Sequence, residues 1–235
     1  MKFQIYEFDS LDSTSTYLKQ HARQSAPGTV VCARMQTGGR GRLGKSFLSP
    51  PGEGLYLSVL LRPESLEEGM LYPFSAGIAV AEAIWETTAI EPGLKWPNDV
   101  LIHGKKVTGI LAEVAEGNTV VVGIGINLTT PYAFFEQNGL LHVSSVLAET
   151  GLEVSAEKMR EHLLARLSAV LEWKREDLLS RYRKRCVTVG REIRTSGGVE
   201  GICKGISDQG ELVVCDGAGE VHYLNSGEVS ISGMY

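Results

Sequence analysis

Residues 36–45, Gln-Thr-Gly-Gly-Arg-Gly-Arg-Leu-Gly-Lys, place four glycines and three cations within ten positions, directly after a β-branched apolar run. Glycines let backbone N–H groups converge on an anion and let a ligand approach the chain closely. Arg40, Arg42 and Lys45 can supply charge-assisted contacts to a carboxylate or a phosphate. On composition alone, a solvated basic surface loop is the alternative. Gly39 to Ser46 also satisfies the bare G-x-x-x-x-G-K-S pattern of a phosphate-binding loop. Such a loop must open a helix, and Pro50-Pro51 follows instead, so that reading is set aside.

Three further segments share this character. Lys95-Trp-Pro-Asn-Asp99 compresses a cation, a large aromatic, a proline and two oxygen-bearing side chains into five residues. Proline fixes the chain, so the segment reads as a rigid corner able to present Lys95 accurately. The alternative is a plain turn in which Asn98 and Asp99 satisfy the backbone and Trp96 fills the core. Residues 104–113, Gly-Lys-Lys-Val-Thr-Gly-Ile-Leu-Ala-Glu, carry Gly109 inside a strand pattern, which weakens a strand unless something approaches closely. Residues 123–127, Gly-Ile-Gly-Ile-Asn, repeat the feature and end on an amide. Together the four segments point to one site for an anionic, planar ligand lying against strands, most naturally a nucleotide. No Ser/His/Asp arrangement stands out. His21, His103, His142, His162 and His222 show no metal-ligand spacing and read as structural or exposed. Glu67, Glu68 and Asp208 sit in turn-like surroundings and receive no role.

The chain that must position these segments has 235 residues, about one large domain plus a small one. Its apolar (43%) and charged (22%) fractions exclude wholesale disorder. Lys plus Arg is 23 and Asp plus Glu 28; the net −5 argues against a nucleic-acid-binding surface. Cys32, Cys186, Cys203 and Cys215 form no C-x-x-C pair and no disulfide framework, and read as small core residues in a reducing compartment. The N-terminus has no signal-like apolar stretch, and no 18-residue uncharged apolar run exists. The expectation is a cytoplasmic protein with no membrane and no nucleic-acid partner.

From residue 2 to 127, strands alternate with a few helices. Strands are expected at 4–8, 29–33, 54–61, 94–96, 100–102, 107–114 and 119–126, with His103-Gly104 as a tight hairpin. A helix capped by Asp12 or Ser13 runs to about residue 24, and another spans 75–88 with Ser75 as its N-cap. Residues 131–151 read as an irregular connection. Residues 155–185 read as one long helical region capped by Ser155, on the spacing of Met159, Leu163, Leu167, Val170, Leu178, Leu179 and Tyr182. Beyond it, short β-rich pieces at 188–189, 192–195, 199–206, 212–215, 221–224 and 228–232, divided by Gly-containing turns, predict a small barrel.

The order Ser13-Thr14, Gly39-Arg-Gly-Arg-Leu-Gly44, Lys95-Trp-Pro-Asn-Asp99, Lys105-Lys-Val-Thr-Gly-Ile-Leu-Ala-Glu113 and Gly123-Ile-Gly-Ile-Asn127 resembles the biotin protein ligases over nearly the whole chain. The resemblance implies an α+β fold: a mixed β-sheet catalytic domain with helices packed on it (1–185) and a small C-terminal SH3-like β-barrel (186–235). With the first motif at residue 13, it implies the monofunctional form lacking an N-terminal DNA-binding domain. It implies that ATP, with Mg2+, activates biotin to biotinyl-5′-AMP, which a lysine of a biotin carboxyl carrier protein then attacks; that carrier would be a subunit of acetyl-CoA carboxylase or a similar carboxylase. By the same resemblance Ser13, Thr14, Ser15, Gln36, Arg40, Gly41, Arg42, Lys95 and Gly109 would bind biotin, with Arg40, Arg42 and Lys95 catalytic. Phe47, Lys106 and Asn127 would lie at the ATP. No residue is assigned to the metal, and a homodimer is compatible with the resemblance. Two positions depart from the family pattern: Ser15 stands where Asn is common, and Phe47 where Trp is expected, which loses an indole N–H. A lipoate or octanoyl ligase or transferase of the same fold is the alternative, but those relatives lack the Gly-Arg-Gly-Arg and Lys-Trp-Pro-Asn-Asp pair. A non-enzymatic biotin-sensing regulator fits the charge poorly, and a bare SH3-like module would leave residues 1–180 unexplained.

Overall fold

Strand β3 (Gly54–Leu61) is buried at all eight positions. A strand this apolar must lie inside a sheet covered on both faces. The computed structural model, which describes residues 1–233, places it third in a seven-stranded sheet with β1 (Gln4–Leu11), β2 (Thr29–Gln36), β4 (Gly93–Lys95), β5 (Asp99–Ile102), β6 (Lys105–Ala115) and β7 (Thr119–Asn127). The order is β1-β2-β3-β7-β6-β5-β4; β1 and β2 pair parallel and every other pair is antiparallel. The parallel pair needs a crossover, which α1 (Thr14–Gln20) supplies.

Alternation along the strands divides the core in two. Leu18 and Ala22 cover Val31, Leu60 and Val121 on one face. The opposite residues, among them Val30, Val59, Leu61, Val120 and Val122, meet α3 (Tyr72–Thr88) and α6 (Ala156–Val170) on the other. The helix α3 starts at Tyr72, not after Ser75. Pro73 lies in its first turn, where a missing N–H costs nothing, and Ser75 Oγ donates back to Leu71 O. A short α2 (Leu66–Gly69) precedes it.

Two further expectations are corrected. The connection after β7 holds α4 (Tyr132–Gln137) and α5 (Val146–Thr150); Ser145 caps the latter by accepting from Ala148 N–H, and Gly151 closes it at φ 72°. The helical region after Ser155 is two helices, α6 and α7 (Arg175–Arg185), broken at residues 171–174. The apolar spacing ran across the break because Leu171 and Trp173 pack on the same core as the helices. Ser155 is the N-cap, accepting from Lys158 N–H at 3.2 Å. The His103-Gly104 hairpin is present, with both residues at positive φ.

The C-terminal strands β8 (Glu192–Thr195), β9 (Glu200–Ile206), β10 (Leu212–Asp216), β11 (Val221–Leu224) and β12 (Val229–Ile231) form an antiparallel sheet, order β11-β10-β9-β8-β12. No ladder joins β11 to β12 among the described residues, so the hydrogen bonds leave the expected barrel open. Residues 188–189 form a turn rather than a strand. The last two residues of the expected 186–235 domain lie outside the described residues. All four cysteines are free, three of them buried; burial pushes the Cys32 and Cys203 thiols up to about 11. Among the described residues no helix is long and apolar enough to cross a membrane.

Candidate active site

A cleft of ≈ 410 Å³ opens on the α1 face of the seven-stranded sheet, and all twelve residues nominated above line it. At one end stand the first residues of α1. Ser13 caps the helix, its hydroxyl accepting from Thr16 N–H. The backbone N–H of Thr14 donates to Gln36 Oε1 at 2.9 Å, and the hydroxyls of Thr14 and Ser15 both reach Ser58 Oγ, at 2.8 and 2.9 Å. Gln36 Nε2 donates to Ser49 Oγ. Residues 13–15 are buried, so this polar end is fixed by its own hydrogen bonds.

The floor is β6 and β7, where Gly109 and Gly125 face each other in register. A Cβ on Gly125 would lie 2.5 Å from the Phe47 ring, and one on Gly109 3.1 Å from it. A Cβ on Gly123 would meet Ser15 Oγ at 2.5 Å. The in-strand glycines are therefore explained by side chains from the loop and from α1 that press onto the strands. Phe47 is held edge-on to Tyr56, with centroids 6.3 Å apart.

The Lys95–Asp99 corner is tied down on every side. Asn98 Nδ2 donates to Ile110 O and Ile110 N–H donates to Asn98 O, both at 3.0 Å. Trp96, 2% exposed, donates from its indole to Gly210 O at 3.0 Å and from its backbone to Thr188 Oγ1 at 3.2 Å. The Trp96–Pro97 peptide is cis. Lys95 is 5% exposed. Burial, opposed by Asp99 and reinforced by Lys106, pushes its ammonium down to about 8. Lys106 pairs with Asp99 at 2.7 Å.

The glycine-rich loop closes the cleft with a tight turn. Gly41 N–H donates to Lys45 O, Phe47 N–H to Gly39 O, and Arg42–Gly44 form one 3₁₀ turn with Leu43 at φ 52°. Arg42 Nη1 donates to Asn98 Oδ1 and to Gly227 O, each at 3.1 Å. Burial lowers its guanidinium while Asp99 and Glu228 oppose that shift. Arg40 is exposed on the same loop. Asn127 is buried and its amide donates to Ser144 O.

Sequence reasoning passed over four lining residues. Asn98 and Asp99 belong to the Lys95–Asp99 motif but are given no role by it, and Asn98 holds Arg42. Glu228 reaches the cleft from the C-terminal sheet, about a hundred residues beyond the last motif. His142 is half-buried in the wall, and burial, Lys106 and Lys95 hold its imidazole below the usual histidine range. Neither Glu228 nor His142 lies in a local pattern; Lys106 N–H donating to His142 O, at 2.8 Å, and Ser144 N–H donating to Lys106 O, at 2.9 Å, bring the second of them here.

Residues 7–128 match the model of the biotin/lipoate A/B protein ligase family. The chain belongs to that family. Residues 188–232 match a second model, the biotin protein ligase C terminal domain. Among ligases of this family, the bifunctional ligase/repressor BirA of Bacillus subtilis (strain 168) is 36% identical over 162 residues, 66% of this chain and 50% of that protein. The chain thus spans about half the length of the BirA proteins of Bacillus that it matches. The biotin–[acetyl-CoA-carboxylase] ligase of Mycobacterium tuberculosis is 34% identical over 231 residues, 92% of this chain and 85% of that protein. The solved structure of biotin protein ligase from Aquifex aeolicus in complex with biotin and ATP is 32% identical with a TM-score of 0.85, covering 97% of this chain and 98% of that one.

Proposed function

We propose that this chain is an ATP-dependent biotin–protein ligase: it activates biotin to biotinyl-5′-AMP and transfers it to a lysine of a biotin carboxyl carrier protein of a carboxylase. The observation that carries this reading is the convergence on one cleft of a buried Ser/Thr/Gln end, a glycine floor under an aromatic ring, and the cations Arg40, Arg42, Lys95 and Lys106. Ligases of this family solved with biotin and ATP support it.

In the first step a carboxylate oxygen of biotin attacks the α-phosphorus of ATP, the bond to the β-phosphate oxygen breaks, and pyrophosphate leaves. Two anions must meet, so cations fixed in a poorly solvated site give the main stabilisation. Lys95 suits the carboxylate because its corner cannot move. Arg42 and Arg40 suit the phosphate side, where the loop can cover the intermediate and keep water out. In the second step a neutral lysine amine of the carrier attacks the acyl carbon, AMP leaves, and the amine loses a proton. Gln36 and residues 13–15 would hold biotin, with Gly41 and Gly109 against it, and Phe47, Lys106 and Asn127 would hold the nucleotide.

A magnesium ion would enter with the triphosphate. Asp99 Oδ1 is buried and, apart from the Lys106 ammonium, has no hydrogen-bond partner, so its carboxylate has room to share a cation that phosphates bring. The ion would neutralise charge on the phosphates. The working division is residues 1–185 for the chemistry and 186–235 as a β-rich unit packed on them, and the compartment is the cytoplasm. Incubation with ATP, magnesium and biotin, without carrier, is expected to yield biotinyl-5′-AMP by mass spectrometry. Faster transfer of lipoyl or octanoyl groups than of biotin would overturn the reading.

A further inference from the structure

The C-terminal sheet contributes an anion to a cleft otherwise walled by cations. Both carboxylate oxygens of Glu228 lie on Lys45 Nζ, at 2.7 and 2.8 Å. The preceding carbonyl, Gly227 O, accepts from Arg42. Glu228 is itself held by its backbone N–H donating to Ser196 Oγ at 3.1 Å, which sets it on the turn between β8 and β9 rather than on a free tail. Two consecutive residues leading into β12 therefore grip the first and last residues of the loop segment 42–45. The ion pair is solvent-accessible, with Lys45 66% and Glu228 37% exposed. A pair of that kind is weak, so it can hold a loop and still be broken by a stronger competitor.

We propose that Glu228 is a positioning residue for the glycine-rich loop: its carboxylate holds Lys45 where a triphosphate would otherwise sit, and an arriving ATP must displace it. This rests on the reading of the cleft as an adenylation site. The triphosphate carries more charge than one carboxylate and wins the cations, while Gly227 O, a neutral acceptor, keeps Arg42 aimed across the cleft. The small sheet then sets how tightly the loop resists nucleotide, and Glu228 lies in no local motif that would announce it.

The test is Glu228→Gln, which keeps shape and removes charge. Without nucleotide, amide exchange of residues 37–45 should rise by about 2- to 5-fold, the range an exposed ion pair supports. The KM for ATP in biotinyl-5′-AMP formation should fall by a similar factor of about 2 to 5, with a larger change in KM than in kcat. Lys45→Glu combined with Glu228→Lys should restore the exchange protection that each single change removes. A raised KM for ATP would make Glu228 a nucleotide-binding group and overturn the proposal. Unchanged exchange in residues 37–45, equal loosening of β8 to β12, or a reversed pair that gives no recovery would overturn it too. If the unmodified enzyme makes no biotinyl-5′-AMP, the adenylation reading fails by itself, and the exchange measurements still decide whether the pair holds the loop.

Discussion

The loop 36–45 and the corner 95–99 both bring cations to one cleft, and they are built in opposite ways. The corner is clamped by buried bonds: the Trp96 indole to Gly210 O, the Trp96 backbone to Thr188, and Asn98 twice to Ile110. The loop is clasped at its surface, by Lys45 on Glu228 and by backbone turns around an exposed Leu43. Burial makes the corner accurate and lowers the proton affinity of Lys95. Exposure leaves Arg40 and Lys45 screened by solvent and able to rearrange, while Arg42 is tied to Asn98 and Gly227. A fixed charge suits a bond that must form in one geometry; an adjustable one suits a lid.

This contrast can be broken at the corner first. Trp96→Ala should cost about 3–5 kcal/mol of stability, since it removes a fully buried aromatic and orphans the Gly210 carbonyl. Calorimetry that found a loss below ~1 kcal/mol would show that the corner is not clamped by its tryptophan. Lys95→Ala should lower biotinyl-5′-AMP formation by roughly 10- to 100-fold or more, the equivalent of a lost charge-assisted bond. Normal adenylate yield with poor transfer would move Lys95 to the second step.

Acid–base titration sharpens the same point. With Lys95 at about 8, the rate of adenylate formation should fall as pH rises through that value. Stability should move the other way. The folded ammonium holds its proton less well than the unfolded one, ordinarily near 10.5, so between about 8 and 10.5 the unfolded state binds more protons. The destabilising effect of burying this charge is complete below that window and is relieved across it. A pH profile flat from 7 to 9 for adenylate formation would remove Lys95 from the first step.

Effects at the loop should be smaller. Arg42→Gly should speed release of the adenylate by roughly 10-fold, because a half-buried guanidinium and its bonds to Asn98 and Gly227 are lost and the chain gains freedom. Released anhydride would then biotinylate added bystander protein, and stopped-flow dissociation gives the rate directly. The smallest effect is salt: raising ionic strength to about 1 M should loosen residues 37–45 in hydrogen exchange and leave the corner unchanged. Equal loosening of both would erase the distinction.

What could be read in advance follows from range. The strands of the seven-stranded sheet and the Ser13 and Ser155 caps are local patterns, and the structure has them. The start of α3 was misplaced because Pro73 inside a first turn is as acceptable as a serine cap two residues later. The break between α6 and α7 carries no glycine or proline, and the apolar stripe crosses it because one core serves both helices. At the candidate site, motifs brought together residues between 13 and 127, and Gly39, Gly123 and Gly125 among them mark close contacts that no other residue allows. Glu228 and His142 arrive by packing between distant segments, and nothing in their neighbours distinguishes them.

The tryptophan clamp also has an order in time. A ribosome delivers the chain from its N-terminus, so the strands carrying Lys95, Lys106 and Asn127 emerge well before Thr188 and Gly210. Until those two arrive, the Trp96 indole and backbone N–H lack the acceptors they have in the folded protein, and leaving them buried and unpaired costs about 1–3 kcal/mol each. A nascent chain can therefore assemble most of the sheet and still hold Lys95 on a loose hinge. The proposed adenylation would then wait for Thr188 and Gly210, so a half-made chain would not be a half-working enzyme.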